Sequence, residues 1–145
     1  MTATSPEVSI EVLRSEAVLP KGLPFPDGVR VGNLVFMSGQ IGIVPGTRGL
    51  APGGIEAETR RTFENVKLQL AAHGLSLQDV VRVQVMLADM AEWPRFNAVY
   101  AEYFNDPKPA RTTVGAHLDQ VPGMLIEIEA IAYVGDKTPE EDGAR

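Results

Sequence analysis

The sequence predicts an α+β fold, a mixed β-sheet with two helices packed on one of its faces. Three observations lead there. Val80–Leu87 and Leu125–Tyr133 alternate apolar residues with the period of two that a strand needs to bury one face. Ile55–His73 and Glu92–Phe104 instead space their apolar residues as helices do. The order along the chain is strand, hairpin, helix, strand, helix, strand, strand, the layout of a two-layer sheet and helix fold. With 145 residues, 44% of them hydrophobic and 22% charged, the chain is long enough and ordinary enough in composition for one domain with a real core.

Each element has its own local reason. Residues 1–7 and 135–145 are small, polar or charged and lack a packing pattern, so they are expected to be flexible. Val8–Leu13 alternates well enough for a first strand. Lys21–Gly28, written KGLPFPDG, holds too many Pro and Gly residues for a regular element and is read as a loop. Its aromatic, Phe25, either plugs the edge of the core or edges a pocket. Val29–Val31 and Leu34–Ile41 read as a hairpin turning at Gly32 and Asn33. Within its second arm stand Ser38 and Gly39, and a strand glycine marks either a bulge or a place where a ligand or another backbone comes close.

The loop at 44–54 has four glycines and two prolines but not the fixed offsets of a phosphate-binding loop. Ile55–His73 is the first helix, stopped by Gly74, with Thr59, Phe63, Val66, Leu70 and His73 along one face and Arg60, Arg61, Glu64 and Lys67 along a solvated one. His73 is expected to complement the helix dipole. A short helical turn at Ser76–Asp79 precedes a strand at Val80–Leu87, with Val81, Val83, Val85 and Leu87 on one side. The second helix takes Pro94 in its first turn, where the missing N–H does no harm, and presents Phe96, Val99, Tyr100, Tyr103 and Phe104 to a sheet. Asn97 lies among these aromatics, as a surface residue or a satisfied core amide.

The stretch Pro109–Tyr133 is the most informative. It reads as two strands joined by a Gly/Pro loop, and each carries a charge. In the second strand Ile126, Ile128, Ala130 and Ala132 alternate with Glu127 and Glu129. In the first, Arg111, Thr113 and Gly115 share a face. Read as neighbouring strands, the two bring an arginine and a carboxylate together, either as an anion-binding, water-activating site or as a structural salt bridge.

Composition narrows the function. A net charge of -6 argues against a nucleic-acid partner held by phosphate neutralisation. Without cysteine there is no thiolate chemistry, and two histidines make a conventional zinc site unexpected. No apolar run approaches a bilayer span, and the N-terminus lacks the pattern of a signal peptide, so no membrane partner is expected and a cytoplasmic location is. Ser38 in MSGQIG lacks the glycine spacing of a hydrolase nucleophile elbow. The half-polar sheet face with Arg82, Gln84 and Met86 suggests self-association.

Over roughly residues 20–134 the chain resembles the RidA (YjgF/YER057c/UK114) family of imine deaminases. The resemblance rests on Pro109-Ala110-Arg111 followed by Ile126-Glu127-Ile128-Glu129-Ala130. Gly32-Asn33, Ser38-Gly39-Gln40, Glu64-Asn65-Val66 and Phe96-Asn97 ahead of Tyr100 support it in the same order. It implies a chorismate-mutase-like fold assembled as a homotrimer, with sites in the clefts between subunits and no metal or organic cofactor. It also implies hydrolysis of 2-imino acids and their enamine tautomers to 2-keto acids and ammonia.

On that resemblance Arg111 clamps the substrate carboxylate with its bidentate fork, and Glu127 activates water. Phe25, Ser38, Gly39, Asn97 and Thr113 line the site. The chain departs from the family at Phe25, where many members have tyrosine, and at Thr113, where some have cysteine. The first change removes a hydrogen-bond donor and bears on substrate range. The competing reading is a keto-acid binding, regulatory or chaperone-like protein on the same scaffold, with the carboxylate clamp but no turnover.

Overall fold

The computed structural model describes residues 7–135. The terminal segments expected to be flexible lie outside them, apart from Glu7 and Gly135. Within the described residues the strands are β1 (Ile10–Leu13), β2 (Gly28–Val31), β3 (Leu34–Met37), β4 (Gln40–Ile41), β5 (Val80–Leu87), β6 (Ala110–Gly115) and β7 (Ile126–Tyr133). The helices are α1 (Gly54–Ala71) and α2 (Trp93–Tyr103). The strands form one mixed sheet in the order β1-β2-β3-β7-β5-β6, with β4 also paired to β7. Only β5 and β6 run parallel, because α2 carries the chain back between them. The α+β architecture expected from the sequence is the observed one, and no described helix is long and apolar enough to cross a membrane.

The last strand in sequence is central in space. β7 pairs with β3 and β4 on one side and β5 on the other, and its Ile126, Ile128, Ala130 and Ala132 are all buried. Above them pack Ile55, Phe63, Val66 and Leu70 of α1 and Phe96 and Tyr100 of α2, also buried. Phe63 stacks on Tyr103 at 4.6 Å between ring centroids and meets Tyr100 and Phe104 edge-on at 5.7 Å. α1 stops as expected. Gly74 takes φ 74°, and the Leu75 and Gly74 N–H groups close on Leu70 and Ala71 carbonyls in a Schellman motif.

Three details differ from the sequence reading. The arm read as Leu34–Ile41 is broken at Ser38 and Gly39 into β3 and β4. Val81 is not on the buried side with Val83, Val85 and Leu87. An irregularity between Val80 and Arg82 shifts the register, so Val80 is buried and Val81 exposed. The third concerns β6 and β7, which are not neighbours because β5 lies between them.

Two buried polar side chains of α1, Asn65 of the Glu64-Asn65-Val66 segment and Glu58, hold β4 and the start of β7. Asn65, fully buried, donates from Nδ2 to the carbonyls of Ile41 and Ile43 at 2.8 Å each. Glu58, 3% exposed, accepts from the Leu125 N–H at 2.6 Å just where β7 begins. Burial raises the Glu58 pKa, against the Leu125 and Ile126 N–H groups that lower it. Glu58→Ala orphans backbone donors and opens a cavity, so it should lower the unfolding free energy by about 3 kcal/mol. Urea denaturation checks this, and an unchanged midpoint would show that Glu58 does not anchor β7.

Candidate active site

Cross-strand partners share a face of a sheet, so register decides where each charged residue points. Arg111 pairs with Val83, and Val83 with Ala130, all on the face covered by the helices. Glu127 pairs with Met86, and Met86 with Val114, on the open face. Within one subunit Arg111 and Glu127 therefore lie on opposite faces. The salt bridge considered between them is absent, and they do not form one site in a single chain.

The Arg111 half is built on α2 and β6. The guanidinium carbon lies 4.5 Å from the Tyr100 ring centroid and 5.4 Å from that of Phe96, a cation–π seat. No carboxylate pairs with it among the described residues. Thr113 follows two residues on and points to the same side. Thr113 Oγ1, Asn97 Oδ1 and Tyr100 Oη are buried and have no hydrogen-bond partner. Burial raises the Tyr100 pKa and the nearby Arg111 charge lowers it. A half-buried cation without a counter-ion, beside unsatisfied hydroxyl and amide groups, is arranged to receive an anion.

The Glu127 half is built on β7 and the break between β3 and β4. Gly39 lies so close that a Cβ there would run into Glu127 Oε2. The close approach read from this glycine is therefore to a carboxylate. Gln120 Nε2 donates to Glu127 Oε1 at 3.0 Å. Desolvation is the largest influence on Glu127 and raises its pKa; the Gln120 bond lowers it and Glu129 adds to the rise. Asn65 fixes the carbonyls that follow Gly39, so the gap beside the carboxylate is held by α1.

The other expected lining residues are divided. Ser38 spends its hydroxyl on the Pro26 carbonyl at 2.8 Å and its N–H on the Asp27 carbonyl at 2.8 Å, which pins the loop before β2 against the Gly39 break. Phe25 lies on that loop and is 44% exposed. His73 does not serve the helix dipole; its Nε2 lies 2.7 Å from Asp27 Oδ2, which also accepts from Ser15 Oγ at 2.5 Å. Among the described residues no group of three or more His, Asp or Glu side chains is placed to share a metal ion.

Comparison with known proteins bears on what such a site serves. The family model described as Endoribonuclease L-PSP matches residues 17–134. The chain belongs to this family, known also as RidA or YjgF/YER057c/UK114. A RutC family protein of Pyrococcus horikoshii is 46% identical over 111 residues, covering 76% of this chain and 86% of that protein. A 2-iminobutanoate/2-iminopropanoate deaminase of Dermatophagoides farinae is 38% identical over 112 residues, 77% of this chain and 86% of that one. The crystal structure of RidA from an Antarctic Psychrobacter matches with a TM-score of 0.74 and 33% identity, over 85% of this chain and 98% of that one. The RidA fold is thus the fold of this chain.

Sequence reasoning missed the seat under Arg111. Phe96 and Tyr100 read as core from the sequence, and they are, yet their rings also carry the guanidinium. Gln120 carried no signal either, since it sits in an irregular loop with no periodicity to read. Because Arg111 has no counter-ion, Arg111→Met should leave the melting temperature unchanged or raise it, worth up to about 2 kcal/mol. Thermal unfolding checks this; a large fall would mean that Arg111 is held for structure.

Proposed function

We propose that this RidA-family chain, read as a single domain, hydrolyses 2-imino acids and their enamine tautomers to 2-keto acids and ammonia. The site lies between subunits of a homotrimer. The observation that carries this reading is that Arg111 and Glu127 are each prepared for a ligand but face away from each other. A complete site then needs Arg111 from one subunit and Glu127 from the next. The open face can supply the contact, since Leu34, Phe36, Val114 and Tyr133 are exposed on it. The deaminase name of the Dermatophagoides relative supports the reaction class.

In this mechanism the Arg111 fork holds the substrate carboxylate, with Thr113 and Asn97 satisfied by substrate or water. An enamine first takes a proton at its terminal carbon and gives one up from its nitrogen, becoming the imine. Glu127 then removes a proton from water as the oxygen bonds to the imine carbon, and passes that proton to the nitrogen as the C=N π bond opens. The tetrahedral carbinolamine collapses when Glu127 takes its hydroxyl proton and hands it to the nitrogen as the C–N bond breaks, releasing ammonia and the keto acid. A carboxyl whose pKa is raised suits both roles, since it gives back a proton more readily than an ordinary carboxylate. Gly39 leaves room for that carboxylate, and Phe25, lacking a hydroxyl, shifts the preference toward apolar substrate side chains.

The test is keto-acid release from imines generated in place by an amino-acid oxidase. Arg111→Ala and Glu127→Gln are each expected to abolish the acceleration while the chains stay folded. Mixed equally during refolding, the two inactive variants should regain about a quarter of wild-type activity, because random neighbours pair an intact Arg111 with an intact Glu127 that often. Recovery of nothing would place both residues in one subunit's site. Saturable keto-acid binding that needs Arg111, with no acceleration by wild type, would leave a binding protein.

The pH profile gives a second check. Glu127 must be ionised to accept the proton, and burial raises its pKa above the ordinary 4.5. Activity should therefore fall as pH drops through a midpoint above that value. A limb at or below 4.5 would assign the base to another group.

A further inference from the structure

The loop joining β1 to β2 folds over a cavity of about 400 Å³. Of the residues assigned to the imine site only Phe25 reaches it; none of Arg111, Asn97, Thr113 or Glu127 lines it. Leu19, Leu23 and Phe25 give it an apolar wall, while Gln40 and Gln69 approach from β4 and α1. That volume is within the usual range for small-molecule sites.

The polar lining is unevenly satisfied. Asp27 is fully engaged by Ser15 and His73. Gln40, 4% exposed, has a single long contact of 3.5 Å from Nε2 to the Ser38 carbonyl. Gln69, 2% exposed, has a side-chain oxygen with no partner at all. A buried amide acceptor without a donor is destabilising, so such groups are rare unless something else supplies the donor. At the rim Lys21 and Glu16 pair with each other at 3.9 Å, which leaves Arg14 exposed and without an ion pair among the described residues.

We propose that this cavity is a second small-molecule site, for an aromatic or branched apolar acid that carries an N–H or O–H donor. The donor meets Gln69 Oε1, the apolar body lies against Leu19, Leu23 and Phe25, and the carboxylate turns outward to Arg14. An apolar molecule without a donor leaves Gln69 orphaned, and a small polar one leaves the wall unfilled. Both features of the lining together therefore define the ligand class.

Indole-3-acetate and naphthalene-1-acetate separate these contributions, because they share the carboxylate and a fused apolar ring system but only the first has an N–H. Calorimetric titration of the whole chain should show indole-3-acetate binding about tenfold more tightly, the equivalent of one hydrogen bond. Gln69→Leu should erase that preference, Arg14→Ala should weaken both acids, and Leu23→Trp, which fills the cavity, should block both. These variants should keep wild-type imine hydrolysis, so the outcome does not depend on the reaction proposed above. Absence of saturable binding by wild type would show that the cavity holds only water. Binding that survives Leu23→Trp but disappears in Arg111→Ala would place the acids at the Arg111 face. Either result overturns the proposal.

Discussion

The structure depends on β7 being the middle of the sheet. It is the last strand made, yet it hydrogen-bonds to β3 and β4 on one side and to β5 on the other. Everything else is arranged to hold it there. Its small Ala130 and Ala132 and its branched Ile126 and Ile128 make the floor on which both helices pack. Glu58 of α1 caps its first N–H groups, and Asn65, two turns later, seizes the carbonyls of the segment beside it. One helix thus supplies apolar cover and the polar anchors for the same strand.

A central strand with one face buried obeys strict alternation, and alternation separates the chemistry. The residues that would clamp an anion are on β6 under α2, and the carboxylate is on the open side of β7. Each half is left energetically unfinished. Arg111 rests on aromatic rings without a counter-ion, Thr113 and Asn97 lack partners, and Glu127 is partly desolvated. Groups in that state reduce folding stability unless a ligand or another subunit completes them. The unfinished halves and the exposed apolar side chains of the open face are the features on which the proposed homotrimer rests.

Much of the candidate site was legible because its signals are local. Glu127 and Glu129 opposite a run of Ile and Ala announce a charged strand face. Gly39 inside a strand announces a close approach, here to Glu127 Oε2. Other parts had no local signal. His73 looks like a helix-end cation until Asp27, 46 residues away, closes on it at 2.7 Å. Gln69 looks like an unremarkable helix position, and only packing leaves its oxygen without a donor. Val81 looks like its alternating neighbours until the register slips beside it.

Apart from the break at Ser38 and Gly39 and the slipped face at Val81, the sequence by itself determined the elements, their apolar faces, and which residues share a face within each strand, because those follow from side-chain periods over a few residues. It also carried enough separate motifs, in order, to mark the family. Only the tertiary structure decided that β5 enters between β6 and β7, and so that Arg111 and Glu127 are turned away from each other. Strand order is set by which distant hydrogen-bonding edges meet as the core closes, and alternation within one strand carries no record of the strand that will lie beside it.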